Sequence, residues 1–260
     1  MLLAVDSGNT NTVFAVYDGD ECKGTWRCGS NPRRTADEYA VWLIDLMALE
    51  GLDRDVITDA IVSSVVPEGN FNLTTLCQRY FHCDPMFIGA ENCELGIKVL
   101  IDRPDQVGAD RLVNTVAVHG RYEGDLIVVD FGTATTFDVV AKDGAYVGGV
   151  IAPGVNLSLE ALHMAAAALP HVDIAKPQKV VGTNTVECIQ SGVFWGYIGM
   201  VREVCQRIKA ERDRPMRVIA TGGLAPLFGQ TEDLFDVYED DLTMHGLTVI
   251  HNYNKTQGNS

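Results

Sequence analysis

The sequence predicts an α/β protein built from two related halves, each a mixed β-sheet flanked by helices, with a cleft between the lobes. Three observations lead there. Leu2 to Val16 (LLAVDSGNTNTVFAV) matches Leu126 to Val140 (LIVVDFGTATTFDVV) at an offset of 124 residues, with six identities in fifteen positions; about one would arise by chance, so the chain carries an internal duplication. Each copy runs from an apolar strand through an Asp/Gly turn into a second strand, and segments of helical periodicity follow, which is the pattern of sheets covered by helices. No Ser/Gly-rich or Pro-rich linker interrupts the chain, so the halves, 1–122 and 123–260, are expected to be apposed lobes.

The elements follow in order. The first strand and its partner close on a turn at Asp18-Gly19, and the second pair closes at Lys142-Asp143-Gly144, so each copy reads as a hairpin whose internal Asp/Gly turn is the functional part. Thr35-Ala36-Asp37-Glu38 is a capping box ahead of a helix carrying Tyr39, Trp42, Leu43, Leu46 and Leu49, and Gly51 stops it. A strand from Ala60 to Val65, a helix around Asn72 to Phe81, an apolar segment Met86 to Ile88 and a short strand Ile97 to Leu100 come next. A helix beginning near Gly108 and running to Tyr122 completes the first half. The second half repeats the order, with strands between Leu126 and Ile151, a helix from Val155 to Ala167, a long helix from about Thr185 to Ala210 and a strand from Arg217 to Ala220.

Composition narrows the function classes. The 260 residues are 47% hydrophobic and 21% charged, enough to bury a substantial core. A formal charge of −15 provides no electrostatic footprint for nucleic acid or anionic lipid, so neither is expected as a partner. Any anionic ligand must then be held by backbone amides, a metal or a few placed cations. No apolar run approaches the ~18 residues needed to span a bilayer, and no basic, apolar leader opens the chain; a cytoplasmic protein is expected. Seven cysteines, an odd number without a C-x-x-C pair, read as reduced structural thiols, and six scattered histidines do not suggest imidazole-bound metal.

Asp6-Ser7-Gly8-Asn9-Thr10 directly follows an apolar strand, so its amides and hydroxyls can face a phosphate while the carboxylate engages Mg²⁺ through water. Taken alone, D-x-G reads equally well as an ordinary tight turn. Its recurrence as Asp130-Phe131-Gly132-Thr133-Ala134-Thr135-Thr136 favours function. Ala220-Thr221-Gly222-Gly223 closes another strand; taken alone it reads first as a helix-starting turn, while paired glycines there also allow close approach by an adenine ring or ribose. Asp110 stands near a helix start whose free amides favour an anion, and Arg111 carries a fork suited to carboxylate or phosphate. From the residues alone, Asp110 reads first as a capping acid and Arg111 as a surface ion pair, and Thr185 passes as a helix N-cap.

Two phosphate loops followed by a glycine pair resemble the actin-like ATPase superfamily of sugar kinases, heat-shock chaperones and actin, whose duplicated fold is ribonuclease H-like. Gly108-Ala109-Asp110-Arg111, the Asp130 to Thr136 loop, Gly148-Gly149-Val150-Ile151-Ala152-Pro153-Gly154, Asn184-Thr185 and Thr221-Gly222-Gly223, in that order and with Ser64-Val65-Val66-Pro67, are similar to the motif set of type III pantothenate kinases. The resemblance runs from Leu3 to about Tyr253. It implies ATP-dependent phosphorylation of pantothenate's primary hydroxyl, the first step towards coenzyme A. Carried over by position, it implies a nucleotide loop of Asp6, Ser7, Gly8, Asn9, Thr10, Asn11, Thr12 and Val13, with Thr133, Gly222 and Gly223 also on ATP. It further implies Asp6 on Mg²⁺ through water, Asp130 on a monovalent cation (K⁺ or NH₄⁺), and a substrate site of Gly108, Ala109, Asp110, Arg111 and Thr185. Asp110 would be the general base, and a homodimer would close the substrate pocket.

One position departs from the family pattern. Where relatives commonly carry a Tyr before the acidic residue leading into x-Pro, this chain has Ile101, in Leu100-Ile101-Asp102-Arg103-Pro104, and an Ile supplies bulk but no hydroxyl. Two alternatives stay open. One is another small-molecule kinase of the superfamily, acting on a sugar, amino sugar or acetate, since fold does not fix substrate. The other is a non-enzymatic nucleotide-binding regulator or filament subunit, which would have no need of a base at Asp110.

Overall fold

In the computed structural model, residues 1–166, 169–229 and 234–258 are described. The chain separates into two compact units, one of Met1–Lys98, Asp102–Arg121 and Leu242–Ser260, the other of Val99–Ile101 and Tyr122–Asp241.

The first unit opens with β1 (Leu2–Ser7), β2 (Asn11–Asp18) and β3 (Glu21–Gly29), continues through α1 (Ala36–Leu49), β4 (Asp59–Ser64), α2 (Asn70–Tyr80) and β5 (Pro85–Phe87), and adds α3 (Ala109–Arg121). Its sheet has the order β3-β2-β1-β4-β5, antiparallel among the first three strands and parallel from β1 onward. The second unit holds β6 (Asp125–Phe131), β7 (Ala134–Val140), β8 (Tyr146–Pro153), α4 (Val155–Ala165), α5 (Thr185–Arg212), β9 (Met216–Thr221), α6 (Ala225–Gly229) and β10 (Val237–Tyr238). Its sheet order, β10-β9-β6-β7-β8, is the first order with each strand replaced by its counterpart, and the pairing directions repeat as well. The duplication seen over fifteen residues therefore extends to a whole five-stranded sheet.

Strand alternation sorts the side chains to two faces. Leu3, Val5, Phe14, Val16, Ala60 and Val62 pack against α1 and α2. Leu2, Ala4, Ala15, Tyr17 and Ile61 point the other way, against Val113 and Val116 of α3 and Met244, Leu247 and Ile250 of α7 (Leu242–Gly258). Helices α3 and α7 lie close: a Cβ on Gly246 would fall 2.4 Å from the Val113 carbonyl oxygen. In the second unit Ile127, Val129, Phe131, Val218 and Ala220 meet Phe194, Tyr197, Ile198 and Val201 of α5. Phe228 stacks there between Phe131 and Phe194, at centroid distances of 4.9 and 5.6 Å.

Several expectations need correction. The capping box is present, with Thr35 Oγ1 accepting the Glu38 amide and Glu38 accepting the Thr35 amide, but Leu49 at the end of α1 is exposed, and its buried face ends at Met47. Ile97 to Leu100 does not form a strand; it makes an isolated bridge, Val99 to Tyr146, because the segment is too short and interrupted to build a ladder. Each expected hairpin is a three-stranded meander. The helix starting at Val155 stops at Ala165, and Ala167, its expected end, lies outside the described residues. The division at 122/123 also differs from the observed one: α7 belongs to the first unit, since its apolar stripe packs on β1 and β4, and Val99–Ile101 joins the second through Tyr146.

All seven cysteines are free, and burial pushes the Cys205 thiol up to about 12. No helix among the described residues is long and apolar enough to cross a membrane.

Candidate active site

Asp6 sits near the carboxyl end of β1, on the sheet face that α3 and α7 cover, because it shares parity with Leu2 and Ala4. Its cross-strand neighbours are Val13 on β2 and Ser63 on β4, and Val13 in turn pairs with Arg27 on β3. One row across four strands thus reads Arg27, Val13, Asp6, Ser63. The register places Asp6 beside the start of α3, where Asp110 lies in the first turn. Burial, foremost, and then the Asp110 charge push the Asp6 carboxyl up to about 7, against smaller lowering by the Ser63 hydroxyl and Arg27.

Asp110 is held by its own helix. Its Oδ1 accepts the Arg111 amide at 2.8 Å, and a Cβ on Gly108 would sit 2.5 Å from that same oxygen. Gly108 is therefore the residue that lets the carboxylate fold back over the helix start. The Gly108 carbonyl accepts the Arg111 and Leu112 amides, at 3.2 and 3.3 Å. Burial raises the Asp110 carboxyl, opposed by the Arg111 amide and the Arg111 charge. A carboxylate so raised is a better proton acceptor near neutral pH than an ordinary surface Asp.

Two facing, partly buried carboxylates repel each other, and a cation relieves that repulsion. Among the described residues no group of three or more His, Cys, Asp or Glu is arranged to hold a metal ion. A pair of carboxylates fits Mg²⁺, which is commonly held by one or two carboxylates plus water and phosphate oxygens rather than by a full protein cage.

In the second unit Asp130 occupies the position of Asp6, near the carboxyl end of β6, and pairs with Thr136 on β7 and Thr221 on β9. Gly222 closes over it. With φ at +93°, a Cβ at Gly222 would lie 2.4 Å from Asp130 Oδ1 and 2.7 Å from the Phe131 nitrogen, so only glycine fits. A Cβ at Gly223 would meet nothing within 4 Å, so that position carries no such constraint. The loop is tied by the Gly132 amide donating to the Ala134 carbonyl at 3.0 Å, and Gly154 presses on it, its Cβ position only 2.1 Å from the Thr133 carbonyl oxygen. Asp130, Gly132, Thr133 and Gly222 are thereby gathered at one end of one sheet, outside the carboxyl ends of parallel strands, where open α/β sheets take their ligands.

Thr185 is exposed in the second unit and is the first residue of α5; the N-cap is Asn184, whose side chain accepts the Glu187 amide at 3.0 Å. Ile101 also belongs to the second unit. Gly108, Ala109, Asp110 and Arg111 form one turn with Asp6 beside it. Two neighbours of the first loop escape a motif reading: Arg27, whose charge reaches Asp6, and Ser30, which hydrogen-bonds the loop itself. Only strand register, counted outward from Asp6 in steps of one neighbour, brings Arg27 into view.

The profile of the type III pantothenate kinase family matches residues 2–207. A relative of that name from Ruegeria sp. strain TM1040 is 67% identical over 259 residues, covering 100% of this chain and 99% of the relative. The chain belongs to the type III pantothenate kinase family. Another family member, from Roseobacter denitrificans, is 66% identical over 255 residues, 98% of this chain and 99% of its own length. Solved structures agree on the fold: a Baf family protein described as a transcriptional activator, from Campylobacter jejuni, superposes with a TM-score of 0.61 at 17% identity, covering 98% of this chain and 99% of its own. A protein described as a 2-dehydro-3-deoxygalactonokinase, from Sinorhizobium meliloti, gives 0.61 at 13% identity, over 97% and 96%. At such identities these two speak for the actin-like, sugar-kinase type of fold alone. The helix turn from Gly108 to Arg111 carries the raised carboxylate of Asp110.

Proposed function

We propose that this protein phosphorylates the primary hydroxyl of pantothenate with ATP, forming 4'-phosphopantothenate at the entry to coenzyme A biosynthesis. Full-length identity to type III pantothenate kinases supports the substrate. The observation that carries the chemistry is the Asp110 carboxylate, held at a helix start by Gly108 and Arg111 and raised by burial.

In this reading Asp110 aligns the hydroxyl and accepts its proton while the oxygen attacks the γ-phosphorus; the bond from that phosphorus to the β,γ-bridging oxygen breaks, and ADP leaves. Arg111 holds the carboxylate end of the substrate through its two-pronged fork. In the first unit Gly108 and Ala109 leave room for the chain of the substrate, and in the second unit Thr185 is assigned to substrate binding. The loop from Asp6 to Val13 in the first unit is assigned to the nucleotide, as are Thr133, Gly222 and Gly223 in the second. Asp6, beside Asp110, would hold Mg²⁺ through water, which when bound offsets charge on the phosphoryl oxygens. Asp130, under Gly222, would supply a carboxylate to a monovalent cation, K⁺ or NH₄⁺.

A homodimer is part of the proposal. The second unit exposes Ile151, Leu157, Met164, Val180, Val181 and Val186, and Val180 and Val181 line an apolar cavity of about 390 Å³ with Trp195. Exposed apolar side chains in such number suit burial against a second copy. Free cysteines suit a reducing cytoplasm. The test compares ADP release with pantothenate, glucose, N-acetylmannosamine and acetate as acceptors. Turnover with pantothenate alone is expected; preference for a sugar or acetate would transfer the reading to another kinase of the superfamily.

A further inference from the structure

A pair of hydroxyls ties the end of β3 to the first phosphate loop. Ser30, the first residue after β3, donates from Oγ to the Gly8 carbonyl at 2.5 Å, and its amide donates to the Thr10 carbonyl at 2.9 Å. Thr12 Oγ1 stands 2.9 Å from Ser30 Oγ. Ser30 directs its single proton to Gly8, so Thr12 must be the donor between the two hydroxyls. The relay therefore runs from Thr12 through Ser30 to the Gly8 carbonyl, both donors pointing towards the loop.

The loop is closed on itself by the Gly8 amide, which meets the Asn11 carbonyl at 3.0 Å, and Ser30 ties that closed turn to the end of β3. The second unit solves the same problem differently: the residue just after its third strand is Gly154, whose Cβ position would fall 2.8 Å from the Gly132 carbonyl oxygen, the counterpart of Gly8. There the backbone itself packs on the loop and leaves no room for a side chain; in the first unit a hydroxyl spans the gap.

We infer that Ser30 is a positioning residue for ATP, setting the shape of the Gly8 to Asn11 loop through the Thr12–Ser30 hydroxyl relay. The inference rests on the kinase reading above and deepens it. A loop held in its phosphate-binding shape before ATP arrives loses less freedom on binding, and donors arranged in series polarise one another. The relay touches no acceptor-site residue, so its loss should be felt in nucleotide affinity and not in affinity for the phosphoryl acceptor.

The test measures ATP affinity by calorimetry in Ser30→Ala and Ser30→Thr, together with KM for pantothenate and the melting temperature. Ser30→Ala is expected to weaken ATP roughly fivefold, the scale of one lost hydrogen bond. KM for pantothenate and Tm should stay level, and Ser30→Thr, which keeps the hydroxyl, should restore ATP affinity to within about twofold of the unmutated protein. Unchanged ATP affinity in Ser30→Ala would overturn the inference, as would a loss that Ser30→Thr fails to rescue, or one that follows a fall in Tm. If Ser30→Ala does not fold, Ser30→Cys, which keeps the size but donates only weakly, carries the test, with the same direction expected and unchanged affinity counting against it. Absence of ATP binding in the unmutated protein would instead refute the kinase reading.

Discussion

Replacing Asp6 with Asn should make the unliganded protein more stable at alkaline pH while removing its function. Burial and the Asp110 charge raise the Asp6 carboxyl from 3.8 to about 7, so the folded state binds that proton more tightly than the unfolded chain does. Between those two values the folded protein carries more protons than the unfolded one, and stability falls as pH rises through the window. Below 3.8 both states are protonated and the penalty is absent; above 7 it is complete. Three units at 1.36 kcal/mol each make it about 4 kcal/mol at pH 8 and, by the same relation, roughly 1.5 kcal/mol at pH 5. Asn has no charge to desolvate. The Tm advantage of Asp6→Asn should therefore be larger at pH 8 than at pH 5, by on the order of 5–10 °C for a chain of this size. Differential scanning calorimetry at the two pH values, without nucleotide, makes the measurement. Adding Mg²⁺ and ATP should then raise the Tm of the unmutated protein and leave the variant largely unmoved. An advantage of equal size at both pH values would refute the reasoning, because the Asp6 carboxyl would then titrate alike in the folded and unfolded states.

Three further outcomes are expected. Gly222→Ala should abolish ATP turnover and cost stability on the order of 1–3 kcal/mol, because the added carbon has no place beside Asp130 Oδ1 and the backbone is left-handed there; steady-state kinetics and a thermal melt check both. Asp130→Asn should lose activation by K⁺ or NH₄⁺, since it removes the full charge that holds a cation; equal rates of the unmutated protein in Na⁺-only and K⁺ buffers would count against that role. Sedimentation should give twice 28.3 kDa, with activity lost on dissociation; a fully active monomer would contradict the shared pocket.

Much of the fold is legible because the duplication is written in backbone-determining residues. Asp6, Gly8 and Thr12 recur as Asp130, Gly132 and Thr136, and they sit where strand ends and turns dictate chemistry rather than where packing tolerates substitution. Helix α7 is not legible in the same way. Its stripe of Leu247, Ile250 and His251 is diluted by Gly246, Asn252 and Asn254, and the close approach that Gly246 permits to Val113 is a tertiary fact. Glycine there reads locally as a helix breaker.

The site is legible by motif and not by juxtaposition. The motifs give Asp6 and Asp110 separate roles, nucleotide and acceptor, yet the two share one electrostatic environment because strand parity turns Asp6 towards α3. Gly108 reads in sequence as merely small, whereas it is the seat of the Asp110 carboxylate. Ser30 lies in no motif. Its importance arises from the register that brings the end of β3 next to Gly8, which pairwise spacing along the chain does not encode.

The central claim, that Asp110 accepts the proton as phosphate passes to pantothenate, is tested most directly by mass spectrometry of the product from the unmutated protein and Asp110→Asn. Both are incubated with pantothenate, ATP, Mg²⁺ and K⁺, with ATP affinity measured in parallel. The unmutated protein should release 4'-phosphopantothenate and ADP in equal amounts. Asp110→Asn keeps the shape and one hydrogen-bonding oxygen but loses the basicity, so product should form ~10²- to 10⁴-fold more slowly while ATP binding persists. A variant that retains near-full turnover, or an unmutated protein that makes no phosphopantothenate, would contradict the claim.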